Sequence, residues 1–491
     1  MLTGLETPVP GHTALMTTAD GTASETREGQ LKPGLKPRHM TMIALGGIIG
    51  AGLFVGSSAV IGVVGPGAVL SYLFAGILVI LVMRMLGEMA VANPSVGSFT
   101  DYTRSAIGSW AGFTTGWLYW YFWSMVLAIE AVAGAEILQR WIDAPTWLMS
   151  LILMALLTAT NMFSVRSYGE FEFWFASIKV AAIVVFILIA GGWLLGIGGG
   201  DSPGLSNLTD HGGFAPEGVL TLLSGIAIVI FAFVGAEIVT IAAAESEQPE
   251  EAVAQAVRSV VYRVMLFYVL SIFLLVCIVP WTDVPVGESP FISALDRIGI
   301  PGAADVMNAI IVTAVLSCLN SGLYTGSRML FALARRGDAP KGLLDVSTRG
   351  VPVKAILLTT AIGFLSTIIA WLWPETVFLF LVNSSGAIAL FVYLLIAVAQ
   401  LRMRRQLERE APEKLKVKMW LYPWLTWLSI IAIVAVVASM AVVDDEATRS
   451  YLVPSLISLA VVVAAAFIRG RREREQPATA GPTQAARPGA A

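Results

Sequence analysis

Charge is what this sequence has least of. Only 13% of its 491 residues are Asp, Glu, Lys or Arg. That is about half the share in a soluble domain, too little to cover a water-facing surface of this size. Cysteine is equally scarce: Cys277 and Cys318 are the whole complement, each inside an apolar run. They exclude a disulfide framework and offer no zinc-ligand spacing. The three histidines, His12, His39 and His211, fall in expected tails or loops. With neither a His/Cys cluster nor a nucleophile elbow, enzyme chemistry lacks a carrier, and no cofactor or metal is expected. A net charge of -3 without a basic stripe argues against nucleic acid as a partner. Residues 1–38 lack the apolar stretch of a secretory signal and read as a disordered cytoplasmic tail. The Pro- and Ala-rich end, 469–491, reads as a second tail.

What is present is hydrophobic length. Runs of 18 or more apolar residues recur along the chain, each enough to cross a hydrocarbon core of about 30 Å. Windows of about 20 residues predict an all-α integral membrane protein of twelve transmembrane helices, near 40–63, 67–92, 111–140, 145–164, 172–196, 218–243, 257–281, 303–334, 353–373, 376–400, 420–443 and 451–468. The lipid bilayer is then the solvent. The predicted inner loops hold Arg104, Arg166, Arg258, Lys341, Arg349, Lys354 and a dense basic run from Arg402 to Lys418, whereas the outer loops hold only Arg140, Arg297 and Arg449. Positively charged short loops resist translocation, so both termini are expected in the cytoplasm, with the protein multi-pass in the plasma membrane.

Two spans are unlike the rest. The first, Ala44-Leu-Gly-Gly-Ile-Ile-Gly-Ala-Gly-Leu-Phe54, carries four glycines at membrane depth, and the sixth, Ile230-Phe-Ala-Phe-Val-Gly-Ala-Glu237, carries Gly235 and an acid. Glycine inside a helix costs about 1 kcal/mol relative to alanine, so such runs favour unwound chain. Small-residue contacts between helices are the other reading of each run alone. Gly50 and Gly235 lie 185 residues apart, each opening a block of five spans. An odd block re-enters from the opposite face, which gives a 5+5 inverted repeat with helices 1 and 6 discontinuous. Paired breaks of this kind point to a transporter site. The blocks run 39–198 and 218–400, joined by an extracellular loop at 199–217; a cytoplasmic basic loop at 401–419 leads to helices 11 and 12 at 420–468.

The motifs Ile48-Ile-Gly-Ala-Gly-Leu-Phe-Val-Gly-Ser57, Gly169-Glu-Phe-Glu-Phe-Trp174, Gly235-Ala-Glu-Ile-Val-Thr-Ile-Ala-Ala-Ala-Glu-Ser246, Ser317-Cys-Leu-Asn-Ser321 and Leu381-Val-Asn-Ser-Ser-Gly-Ala-Ile-Ala-Leu390 resemble the amino acid-polyamine-organocation superfamily. Within it the chain is similar to the amino acid permease branch that includes γ-aminobutyrate (GABA) permease. Gly52 departs from that branch, which tends to carry a small hydroxyl residue there. The resemblance implies a LeuT-type fold and secondary active, proton-coupled import of GABA or a related small zwitterionic amino acid by alternating access. Proline, aromatic or other neutral amino acids are the alternative substrates, and amino acid exchange the alternative mode. A channel would need a continuous polar lining, and a sensor an appended signalling domain.

An amino acid loses water from two charges on entering the membrane, and the carrier must replace those hydrogen bonds. Backbone N–H groups at an unwound helix start suit its carboxylate. The resemblance assigns these donors to Gly50, Ala51 and Gly52, and the ammonium acceptors to carbonyls of Ile48, Phe231 and Val234 beside Gly235. Phe231 is either a gate over the ligand or plain packing. Glu130, an acid in the third span, either receives the distal amine of GABA or pairs with a neighbouring helix. Lys179 lies about eight residues into the fifth span, roughly 12 Å deep, where an unpaired ammonium is disfavoured. In the superfamily an equivalent lysine stands in for a sodium ion, which implies acceptors among first-span carbonyls near Gly46 and Gly47, with Ser317 or Asn320 nearby, and coupling to a proton. Glu237 either caps the second half of the sixth helix or carries a proton. Arg84 and Glu88, one turn apart, are placed to pair. Arg335 and Arg336 read as interface anchors. Glu245 and Glu247 read as gate or structural residues.

Overall fold

A computed structural model describes residues 38–475 except 40, 41, 43–48, 96, 164, 198–201, 243–250, 252, 256, 258, 260–262 and 443–445. Both expected tails thus lie largely outside the described residues, as do Ile48, Gly46, Gly47, Glu245 and Glu247. In a bilayer each backbone polar group must find its partner within the protein, and a helix provides that locally. Among the described residues no strand occurs. Eight helical stretches are long and apolar enough to cross a membrane, and three shorter apolar helices accompany them.

The chain begins with α1 (Ala51–Phe54) and α2 (Gly56–Val64), then turns through Gly65–Gly67 into α3 (Ala68–Ala92). A short amphipathic helix, α4 (Phe99–Ala106), precedes α5 (Ser109–Leu138), α6 (Thr146–Asn161) and α7 (Val165–Leu194). The second block runs α8 (Val219–Phe233), α9 (Ile238–Ala242), a π-helical stretch Arg263–Leu270 leading into α10 (Ser271–Ile278), α11 (Pro290–Ile298), α12 (Ala303–Arg335), α13 (Val353–Leu372) and α14 (Pro374–Glu410). Last come α15 (Trp424–Val442) and α16 (Glu446–Glu475). Helices α4 and α11 occupy stretches expected as loops. Helix α14 runs ten residues past the predicted end of its span, because its basic run is a good helix former stitched by Arg404 to Glu408, 2.8 Å, one turn on.

The spine of the bundle is α5 packed along α12. Small residues bring these backbones together: a methyl on Gly134 would stand 2.8 Å from Val315, and one on Gly322 would stand 2.9 Å from Leu127. Around the spine, α5 also packs on α14, and α12 on α7. The third helix of each block therefore meets the fifth helix of the other, as an inverted repeat requires.

One end of the bundle is tied by buried ion pairs. Asp338, just past α12, accepts from Arg104 of α4 and Arg469 of α16, while Arg336 pairs with Asp101. Arg336 is thus a cross-helix partner rather than an interface anchor. Nor does Glu88 pair with Arg84. It takes Arg404 at 2.7 Å, Gln400 at 2.9 Å and the Met419 amide at 2.5 Å, and Arg84 donates to the Lys418 carbonyl at 2.8 Å. Glu88 is 1% exposed, and a guanidinium aimed in from α14 neutralises it more fully than a lysine-like reach along its own helix surface.

Candidate functional site

In the sixth span the helix is interrupted where Gly235 predicted it, and in the first span the described residues show the start of a helix after Gly50, residues 43–48 lying outside them. Gly50 is extended, at φ -133° and ψ -156°, and α1 starts at Ala51 with no capping side chain of its own. In the sixth span α8 ends at Phe233, Val234 is extended, and Gly235 takes φ +115°, a conformation that favours glycine. Helix α9 then resumes at Ile238.

Each break meets an acid. Glu130 of α5, 1% exposed, accepts the Ala51 N–H on both carboxylate oxygens at 3.1 Å. A carboxylate from another helix thereby caps the positive start of α1. A methyl on Gly50 would lie 2.6 Å from Glu130 Oε1 and 2.9 Å from Cys318 Sγ, so glycine here gives the acid its room. At the other break, Glu237 accepts the Gly235 N–H on both oxygens at 3.2 Å, the Tyr119 hydroxyl at 2.9 Å and the Tyr393 hydroxyl at 3.3 Å. Glu237 thus holds an amide of the break itself, before α9 begins, together with two phenols that the sequence did not single out.

Because Gly235 N–H is held by Glu237, it does not close the helical bond to Phe231. Among the described residues no well-aligned donor reaches the carbonyls of Phe231, Ala232, Phe233 or Val234, where the chain between α8 and α9 is a loose turn. Carbonyls with lone pairs to spare therefore line that turn. Between them and α1 lies a small cavity walled by Gly52, by Phe122, Trp123, Val126 and Glu130 of α5, by Phe231, Ala232 and Val234, and by Cys318 of α12. It has clearance for roughly one water molecule. Phe231 presses its ring toward Gly52, where a methyl would come within 3.1 Å of it, and stands 6.4 Å from Phe122. Of the expected site residues, Gly52, Phe231, Val234 and Glu130 line this cavity, while Gly50, Ala51 and Gly235 are not among its walls and Ile48 is outside the described residues.

Lys179 lies in a separate polar cluster beside this cavity. It is fully buried on α7, and its Nζ donates to Ser317 Oγ at 2.7 Å. Ser317 in turn donates to Glu172, at 2.8 and 2.9 Å to its two oxygens. Asn320 instead pairs with Asn161, whose Nδ2 donates to it at 2.8 Å. Glu172 was part of a recognised motif but had no assigned role. Its signal was position, since it precedes Lys179 by seven residues, two turns of the same helix face.

Among the described residues no three His, Cys, Asp or Glu side chains gather as a metal site. A family model described as amino acid permease matches residues 39–474. The chain belongs to the amino acid permease family. This permease is 53% identical over 93% of its length to the γ-aminobutyric acid permease of Bacillus subtilis (strain 168), covering 98% of that relative. It is 49% identical to the γ-aminobutyric acid permease of Escherichia coli (strain K12), over 83% of this chain and 87% of the other. An aromatic amino acid transport protein of Corynebacterium glutamicum shares 41% identity over 82% and 88% of the two chains. Among solved structures, a manganese transporter of Eremococcus coleocola superposes with a TM-score of 0.55 at 13% identity, covering 89% of this permease and 94% of that chain. The likeness is one of fold. The permease is a transporter, not an enzyme.

Proposed function

We propose that this permease imports GABA, or a similarly small zwitterionic amino acid, across the plasma membrane by proton-coupled alternating access, with both termini in the cytoplasm. The observation that carries the reading is the cavity lined by Gly52 and Glu130 on one side, where Glu130 holds the Ala51 N–H, and by the end of α8 at Phe231, Ala232 and Val234 on the other, whose carbonyls have acceptor capacity to spare. A zwitterion needs both kinds of partner, and neither needs a side-chain charge at the point of contact.

Glu130 gives the site its order of events. In this conformation its carboxylate sits on the Ala51 amide, the position a substrate carboxylate would take. An incoming carboxylate displaces it, and the displaced acid then faces the substrate's amine. In GABA three methylenes separate the two charges, which suits an amine held away from the amide by the length of the cavity. The clearance of roughly one water means that Phe231 and α8 move outward for loading. Identity near 50% to GABA permeases supports that ligand over the aromatic amino acids suggested by relatives near 40%. The gathering of Arg104, Arg336, Arg404 and Arg469 at one end of the bundle supports that end as cytoplasmic.

The test is uptake of labelled GABA into vesicles reconstituted with the permease under an imposed pH gradient, with unlabelled GABA, proline and phenylalanine as competitors. Accumulation that follows the gradient, displaced best by GABA itself, is expected. Better displacement by proline or phenylalanine would overturn the ligand, and uptake indifferent to the gradient would overturn the coupling.

A further inference from the structure

Two polar stripes face each other where α7 crosses α12, away from the substrate cavity. On α7, Tyr168, Glu172 and Lys179 share one face; on α12, Ser317, Ser321 and Tyr324 do the same, each set at helical spacing. All six are 2% exposed or less. Polar side chains buried at this depth are disfavoured unless they serve a path or a site. The contacts join the stripes: Lys179 to Ser317 at 2.7 Å, Ser317 to Glu172 at 2.8 Å, the Tyr168 hydroxyl to Ser321 Oγ at 3.5 Å, and the rings of Tyr168 and Tyr324 stacked at 4.1 Å.

The geometry between Lys179 and Glu172 is not that of an optimised ion pair. Nζ and Oε1 are 3.9 Å apart with a hydroxyl between them, whereas a direct charge-assisted bond closes to about 2.7–2.9 Å. That hydroxyl stands in place of the direct contact that would hold both in their charged forms. A hydroxyl that accepts from one and donates to the other offers them a way to become neutral together.

We propose that Glu172 is the proton relay of this permease, taking the proton from Lys179 through Ser317 and releasing it toward the Tyr168 end of α7. In the step a Lys179 N–H bond breaks as a proton joins the Ser317 oxygen, while the original Ser317 hydroxyl proton passes to a Glu172 oxygen. An ammonium and a carboxylate become an amine and a carboxylic acid, and no charge is left over. The acid then gives up the proton to solvent water at the Tyr168 and Ser321 end, about 6 Å along the helix, and the Lys179 amine is reprotonated by water from the opposite side, which restores the ammonium and the carboxylate. The other titratable groups facing Lys179 are Cys318 on α12 and Glu130 on α5. Through Glu130, the charge on Lys179 is felt at the Ala51 amide, so the relay and the substrate site share one electrostatic neighbourhood.

The inference rests on the proton-coupled reading above, and its experiment separates the two. Vesicles with wild type, Glu172→Gln and Glu172→Asp are assayed for pH-gradient-driven uptake of whichever of GABA, proline and phenylalanine the wild type carries. The same vesicles are assayed for counterflow of that amino acid with no gradient. Glu172→Gln is expected to lose gradient-driven accumulation by about tenfold or more yet keep counterflow close to wild type, and Glu172→Asp to recover part of the loss. Accumulation by Glu172→Gln equal to wild type overturns the relay and leaves proton coupling standing. Equal loss of both transport modes overturns it in favour of a structural role. Wild-type uptake that ignores the gradient overturns relay and coupling together.

Discussion

Adding one methyl at Gly50 tests the site most directly. The φ and ψ of this residue, -133° and -156°, are open to alanine, so Gly50→Ala brings no backbone strain. What it brings is contact: 2.6 Å to Glu130 Oε1 and 2.9 Å to Cβ and Sγ of Cys318. The carboxylate end is free to swing, whereas Cys318 is fixed on the bundle's spine. Relief therefore comes by pushing Glu130 off the Ala51 amide and crowding the point where a substrate carboxylate would sit. Losing Glu130 from the amide removes a competitor of the substrate, so only the crowding against Cys318 opposes binding, and overpacking costs about 1–3 kcal/mol. That loss corresponds to about a 5- to 140-fold weaker apparent affinity for GABA. Initial uptake rates against GABA concentration in reconstituted vesicles measure it. Gly56→Ala is the control, since its methyl would meet nothing nearer than the Ala51 carbonyl at 3.7 Å. A Gly50→Ala permease within experimental error of the Gly56→Ala permease would refute the reading that Glu130 and the substrate share the Ala51 amide.

Three further outcomes follow from the packing. Gly235→Ala forces a side chain onto φ +115° and should lower the melting point in detergent by the equivalent of about 1–3 kcal/mol; an unchanged melt would mean the break can rewind. Arg404→Ala strands the buried Glu88 charge and should destabilise by about 3–5 kcal/mol. Glu88→Gln removes the buried charge, keeps one acceptor oxygen and leaves Arg404 its Glu408, so it should cost clearly less, and equal melting points for these two variants would dismiss the ion pair. Phe231→Ala removes the ring beside Gly52 and should let phenylalanine compete for GABA uptake, whereas an unaltered competitor series would show that Phe231 is not a wall of the site.

How much of this was legible depended on whether the cause was local. The breaks were, since glycine runs and an acid at matching positions in two blocks declare themselves by backbone cost alone. Lys179 was also found, because a lysine in the middle of a span demands an acceptor, while Ser317 came, with Asn320, from the family resemblance. The partner of Glu88 was not: Arg84 lay one turn away, but the guanidinium that neutralises Glu88 comes from Arg404, 316 residues along. The same holds for Asn320, whose amide partner Asn161 sits on α6. For Glu130 the sequence left the direction open, and only the approach of α5 to α1 turned it toward an amide. Glu172 was hidden because an acid inside a motif looks like part of the pattern until its face and its neighbour are known.

The bond between Glu130 and Ala51 also bears on how the carrier resets. An unloaded helix start would face the apolar middle of the membrane with its dipole uncovered, a barrier to turning over while empty. A stand-in for the cargo's carboxylate would ease the unladen return leg, which the proposed gradient-driven import requires and one-for-one swapping does not.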